Sequence, residues 1–122
     1  MFIFDWIKAQ NMIGKSLMAA TTRPLILSIL AEGESYGYAI IQRVKQLSGG
    51  HLVWADGMLY PVLHKLEKEK LIASNWSATD GKKMRKYYSI TELGQESLQT
   101  EREHWQFAHA IMSTVLKLDT NL

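Results

Sequence analysis

Residues 57–91 read GMLYPVLHKLEKEKLIASNWSATDGKKMRKYYSIT, and a change of period inside this stretch decides the fold. Leu59, Val62, Leu63 and Leu66 recur at helical spacing and share one arc of a helix expected from about Gly57 to Lys70. Asp56 is placed to cap that helix, and Pro61, near the end of its first turn, predicts a mild kink rather than a break. From Ile72 the pattern becomes extended. Ile72–Ala78 reads as a strand, Thr79-Asp80-Gly81 as a turn, and Met84–Ile90 as the returning strand. Thr91 then caps a last helix that runs from Glu92 to about Leu118.

Upstream, Ser35 or Gly37 opens a helix over roughly Gly37–Leu47, which Ser48-Gly49-Gly50 stops. His51–Trp54 is short and alternating, a strand or an extended connector. Before that, Thr22 is placed to cap a short buried helix containing Leu25, Ile26, Leu27, Ile29 and Leu30, with Pro24 in its first turn. Phe2, Trp6, Ile13 and Leu17 fall near helical spacing and predict a further helix over residues 1–20. The expected order is therefore four helices, a hairpin and a long helix. This is a mainly α chain with a small β-hairpin, the winged variant of helix-turn-helix architecture. It divides into an N-terminal helix (1–20), a winged-helix unit (21–91) and a C-terminal helix (92–122).

The chain's 122 residues suffice for one domain with a real core, and 47% hydrophobic with 21% charged residues argues against wholesale disorder. The absence of cysteine excludes a disulfide scaffold, a thiolate metal site and a cysteine nucleophile. The longest apolar run, Pro24–Ala31, is too short to span a bilayer, and Met1–Ile7 lacks the cationic start of a signal peptide. A soluble, cytoplasmic protein is expected.

Charge is uneven along the chain. Residues 61–90 carry seven Lys/Arg against three Asp/Glu, whereas residues 91–122 carry two against five. On the Gly57–Lys70 helix, the third of the winged unit, Gly57, Met58, Pro61, His64, Lys65 and Lys68 share the arc opposite the apolar one, with Tyr60 at its boundary. A major groove admits such a helix, whose cations suit phosphates and whose thioether suits thymine methyls. The hairpin tip adds Lys82, Lys83, Arg85 and Lys86, four cations within five positions. They repel one another until a polyanion neutralises them and releases its counterions.

Three runs together resemble the PadR family of bacterial transcription regulators. They are Leu27-Ser28-Ile29-Leu30-Ala31-Glu32-Gly33 with Tyr36-Gly37-Tyr38-Ala39-Ile40-Ile41, then Gly57 to Glu67, then Arg85-Lys86-Tyr87-Tyr88-Ser89-Ile90-Thr91 with Gly94. The resemblance covers about residues 22–94. It implies a homodimeric winged-helix repressor whose third helix enters the major groove while the wing tracks the backbone or minor groove. Carried over residue by residue, it makes DNA contacts of Tyr38, Gly57, Met58, Tyr60, His64, Lys65, Lys82, Lys83, Arg85 and Lys86. The family usually has threonine where Met58 stands, so a hydroxyl contact there is replaced by an apolar one. The first twenty residues are longer than the family's usual lead-in, and the resemblance is silent about them.

The last helix asks for a partner on its own evidence. Leu98, Trp105, Ala108, Met112 and Val115 follow the spacing of a coiled-coil seam, and Phe107, Ile111 and Leu118 make a second apolar strip beside it. One strip is expected to face the domain and the other a second copy, with Trp6 from the N-terminal helix packing nearby. Trp105 near the dyad is also placed to stack on a small aromatic effector.

Catalysis finds no support in the sequence. His51, His64, His104 and His109 lack metal-ligand spacing, no glycine loop or nucleophile elbow is present, and Glu101 and Glu103 do not converge. Neither a cofactor nor a metal is expected. The reading is a regulator binding double-stranded DNA as a homodimer. Its rivals are a winged-helix adaptor for an acidic protein and a ligand sensor centred on Trp105.

Overall fold

The computed structural model describes residues 15–78 and 83–118. They form α1 (Lys15–Ala31), α2 (Gly37–Leu47), α3 (Asp56–Lys68), β1 (Ile72–Ala78), β2 (Met84–Ile90) and α4 (Glu92–Val115). The fold is the expected mainly helical one with a two-stranded wing. Trp6, Lys82, the Thr79–Gly81 turn and the helical pattern before Lys15 lie outside the described residues.

Three helices precede the wing among the described residues, and most of the helix expected over residues 1–20 falls outside them. The boundary expected at Thr22 does not exist, because α1 runs straight through it with Pro24 inside. The Thr22 hydroxyl donates 2.7 Å back to the Met18 carbonyl instead of capping a new helix. An interior proline removes one ladder bond and costs about 3 kcal/mol. Burial of Ile26, Leu27, Ile29 and Leu30 outweighs that cost. This turn of α1 is the centre of the core and packs against α2, α3, β2 and α4.

α2 buries Ile40, Ile41 and Val44, and α3 buries Leu59, Leu63 and Leu66, each set on one face at helical spacing. Residues 51–55 are an extended connector that buries Trp54. α3 starts one residue earlier than expected, since Ala55 occupies the cap position and Asp56 is the first helical residue. Without a side-chain cap there, Asp56 still stabilises the first turn through the helix dipole.

β1 and β2 pair antiparallel from Ile72↔Ile90 to Ala78↔Met84. A backbone bridge adds a third short segment. Ser35 donates 3.0 Å to the Tyr88 carbonyl, and Tyr88 donates 2.7 Å to the Ser35 carbonyl. The loop before α2 is thereby tied to the wing. Tyr88 is fully buried, and burial pushes its phenol above the ordinary tyrosine range.

The wing, α3 and α4 meet at one junction. Leu71 donates to the Leu66 carbonyl and Lys70 to that of Glu67, a helix-ending motif in which Lys70 takes φ 65°. Thr91 is the expected cap of α4, accepting from Gly94 N at 3.0 Å. Its backbone N–H donates to the Leu71 carbonyl and its hydroxyl to that of Lys70. Arg23 of α1 adds a second tie, 2.7 Å from Glu69 at the end of α3 and 3.4 Å from Glu101 on α4. These groups are partly exposed, so the pairs hold orientation more than they add stability.

Candidate nucleic-acid interface

Core packing of Leu59, Leu63 and Leu66 turns the opposite side of α3 outward, and Gly57, Pro61, His64 and Lys68 form its exposed crest. The expected reading arc is wider than this crest, and its flanks lead to different places. Met58 is half-buried against the core, and with Lys65 it lines a groove toward α1 that also holds Met18, Thr22 and Arg23. Lys65 itself is exposed at the rim of that groove. Met58 is therefore less available than its position on the wheel implied.

The other flank of α3 faces the wing. Tyr60 and His64 line a cleft of about 460 Å³ with Tyr36 and Tyr38 from the start of α2, and with Trp76, Met84, Arg85 and Lys86 from the hairpin. The third helix, the second helix and the wing thus converge on one open, aromatic-rich surface. Gly37 makes this arrangement possible. A Cβ at Gly37 would overlap the Tyr60 hydroxyl and ring, so only glycine lets that ring lie on the first turn of α2. Tyr38 stands well out of the surface at 66% exposure.

The wing cations are divided by strand geometry. Alternate residues face opposite sides, so Lys86 shares a face with Trp76 and Tyr88, while Arg85 shares the other with Tyr87. The Arg85 guanidinium lies 4.5 Å from the ring centre of Tyr36, and that ring meets Tyr87 edge-on. Lys86 Nζ lies 5.6 Å from the Tyr88 ring centre. Aromatic faces hold both cations without neutralising them, which keeps their charge available to an anion. Lys83, immediately before β2, is exposed. Sequence reasoning did not assign Tyr36, Trp76 or Met84 to this surface. The alternation along the two strands was the available signal for the last two, whereas the Tyr36–Arg85 contact depends on the Ser35–Tyr88 bridge.

Outside this surface, no group of three or more His, Cys, Asp or Glu side chains among the described residues is arranged to hold a metal ion. Among the same described residues, no helix is long and apolar enough to cross a membrane. The outer half of α4 has a different character. From Arg102 to Leu118 every residue is exposed except Ser113, which is half-buried. That segment includes Trp105, Ala108, Met112 and Val115 of the expected seam and Phe107 and Ile111 beside it. Leu98 departs from the others, being 4% exposed in the core of its own domain. An apolar groove of about 500 Å³ runs between α1 and α4 and is lined by Leu17, Pro24, Leu25, Leu52, Leu98 and Trp105, among others.

The sequence profile of the Transcriptional regulator PadR-like family matches residues 26–100, from the centre of α1 into α4. The chain belongs to the PadR-like family. Among its relatives, the chain is 32% identical over 88 residues to the transcriptional regulator Rv3488 of Mycobacterium tuberculosis, covering 72% of this chain and 78% of that one. It is 33% identical over 81 residues to the transcriptional regulator YqjI of Escherichia coli, covering 66% of this chain but 37% of the longer relative. In structure it resembles a PadR-like transcriptional regulator from Bacillus cereus, with a TM-score of 0.76 and 28% identity over 86% of this chain and all of that one. As a PadR-like transcriptional regulator it is a DNA-binding protein of the winged-helix type, not an enzyme.

For this PadR-like chain, Gly57 offers a test in which fold and binding move in opposite directions. A Cβ at Gly57 would meet no atom within 4 Å. Gly57→Ala is expected to stabilise the fold by up to about 0.5–1 kcal/mol, from reduced backbone freedom. The same methyl stands on the exposed crest of α3, so duplex affinity is expected to fall if that crest meets DNA. A thermal melt and an anisotropy titration check the two signs together, and unchanged affinity would remove Gly57 from the interface.

Proposed function

We propose that this chain is a homodimeric, sequence-specific repressor, acting in the cytoplasm on an inverted-repeat operator. The observation that carries the reading is the meeting of the α3 crest and the cationic wing across one cleft. The crest enters the major groove, where His64, Lys65 and Lys68 reach base edges or phosphates and Gly57 permits close approach. Tyr38 and Tyr60 contact the backbone from the flank. Lys82, Lys83, Arg85 and Lys86 follow the adjacent phosphates and the negative potential of the minor groove.

The dimer reading rests on α4. A helical segment this short does not hold its shape alone in water, and a continuous apolar face on it is unfavourable unless covered. A second copy of α4 covers Trp105, Ala108, Met112 and Val115 along the seam. Two crests related by the dyad then read half-sites about one duplex turn, or a multiple of it, apart. Repression follows from occupying promoter DNA.

The test is fluorescence anisotropy with the duplex upstream of the chain's own gene, beside a scrambled duplex, at several salt concentrations. The expected preference is about a thousandfold or more, with two chains per site. Lys83→Ala is expected to weaken binding to every duplex alike and to reduce the salt slope by about one unit. His64→Ala, by contrast, is expected to cost about 1–3 kcal/mol and to relax discrimination at particular bases. Steep salt dependence without preference, persisting after selection from random duplexes, would favour an acidic protein partner instead.

The groove beside Trp105 favours a second element of the reading, a small flat aromatic effector seated between α1 and α4. Such a ligand would bias the tilt of one winged unit against the other through α4. Its signature is quenching of tryptophan emission that is lost in Trp105→Ala and retained in Trp76→Ala.

A further inference from the structure

The wing carries two large apolar side chains beyond the reach of the core. Trp76 is 63% exposed and Met84 56% exposed. Trp76 pairs with Lys86, and Met84 pairs with Ala78 two positions nearer the tip. Alternation places Trp76, Met84 and Lys86 on the hairpin face that also carries the buried Ile72 and Tyr88. Near its base this face is therefore core, and toward the tip it emerges into the cleft shared with Tyr38, Tyr60 and His64. Folding alone does not account for an indole at that point, because a serine or threonine would serve a solvated strand.

We propose that Trp76, supported by Met84, is the wing's apolar contact with duplex DNA, seating its indole against deoxyribose and base edges in the minor groove. The inference deepens the DNA-reading proposed above and rests on it. Charge complementarity selects the occupant, since Lys86 shares the face of the two apolar groups, Arg85 lines the same cleft from the opposite face and Lys83 adjoins Met84 in sequence, all cations that attract a polyanion. Between its phosphates a duplex backbone presents sugar faces, and these are the apolar surface an indole can cover. The wing thus combines two kinds of contact. Its cations attract every duplex in proportion to the counterions released, whereas the indole contributes through buried area. An apolar side chain pressed into the minor groove also favours steps that unstack easily, so it gives sequence preference without a base hydrogen bond.

The experiment uses the full chain and its selected operator duplex in anisotropy titrations across a series of salt concentrations. Trp76→Ala is expected to weaken binding about tenfold at every salt concentration while leaving the salt slope unchanged. Trp76→Phe should recover most of that loss, and Lys86→Ala should instead reduce the slope by about one unit. Because Trp76 is exposed, the melting temperature of Trp76→Ala should stay near that of the parent, which separates lost contact from lost fold. Quenching of tryptophan emission on adding the operator is expected in the parent and absent in Trp76→Phe. A Trp76→Ala variant that binds the operator as tightly as the parent overturns the role of Trp76 and leaves the DNA-reading standing. A parent chain that selects no duplex overturns both.

Discussion

Replacing Ile111 and Val115 together by aspartate is expected to convert a two-chain species into one chain and to weaken operator binding by more than about a hundredfold. Ile111 is 45% exposed and Val115 68% exposed on the outer half of α4, where they touch no part of the described core. The protomer's own packing therefore loses little. A dimer built on this face loses the burial of four side chains, each contributing about 1.5–3 kcal/mol when fully covered. It also gains four carboxylates near the dyad, which repel one another and are costly to bury. Under the proposed dimeric reading, loss of the pair also weakens binding, since two linked crests would act on two half-sites and such linkage is worth about 10²–10⁴ in affinity. Light scattering reads the mass, and anisotropy reads the binding. A variant that stays a dimer would place the interface elsewhere on the chain.

Gly94→Ala is expected to be among the most destabilising single-methyl changes available in the domain, at about 3 kcal/mol, the upper end for overpacking. Gly94 lies in the first turn of α4, and a Cβ there would run into the Leu71 carbonyl and the side chain of Ile90. The Leu71 carbonyl cannot step aside, because it accepts the Thr91 N–H and sits 3.0 Å from the Thr91 hydroxyl oxygen. Its own amide completes the end of α3. Moving it would disturb the C-terminus of the third helix, the end of the wing and the cap of α4 together. A melting temperature lower by roughly 10–15 °C is the expected readout. A drop of only a degree or two would mean that the junction yields. The contrast with Gly57→Ala is instructive, since both place a methyl on a helix of the same domain and only the surroundings differ.

Much of this molecule was legible without coordinates. The strands Ile72–Ala78 and Met84–Ile90, the second helix over Gly37–Leu47 and the Thr91 cap all follow from local chemistry. Alternation, a glycine pair after the last helical turn and a hydroxyl three residues before a needy amide act over a few positions. The burial of Leu59, Leu63 and Leu66, and with it the outward crest of Gly57, Pro61, His64 and Lys68, also follows from spacing alone. Long-range packing overruled local signals at Thr22 and Pro24. There a plausible cap and a first-turn proline became the interior of one helix, because the apolar residues that follow are worth more buried in line with it.

The sequence by itself determined the order of elements, the apolar faces of the helices and the gathering of cations on the wing, since each is a matter of residue type at short separation. Only the tertiary structure decided how these faces were shared. It withdrew Met58 into the groove beside α1, drew Leu98 into the domain's own core, set Trp105 at the edge of the groove between α1 and α4 and left most of the residues after it exposed. It also stacked Arg85 on Tyr36 through the Ser35–Tyr88 bridge and set the hairpin so that Trp76 lies in the cleft beside Tyr60 and His64. Those outcomes depend on which surfaces distant in the chain compete for the same burial, and no local spacing records the winner.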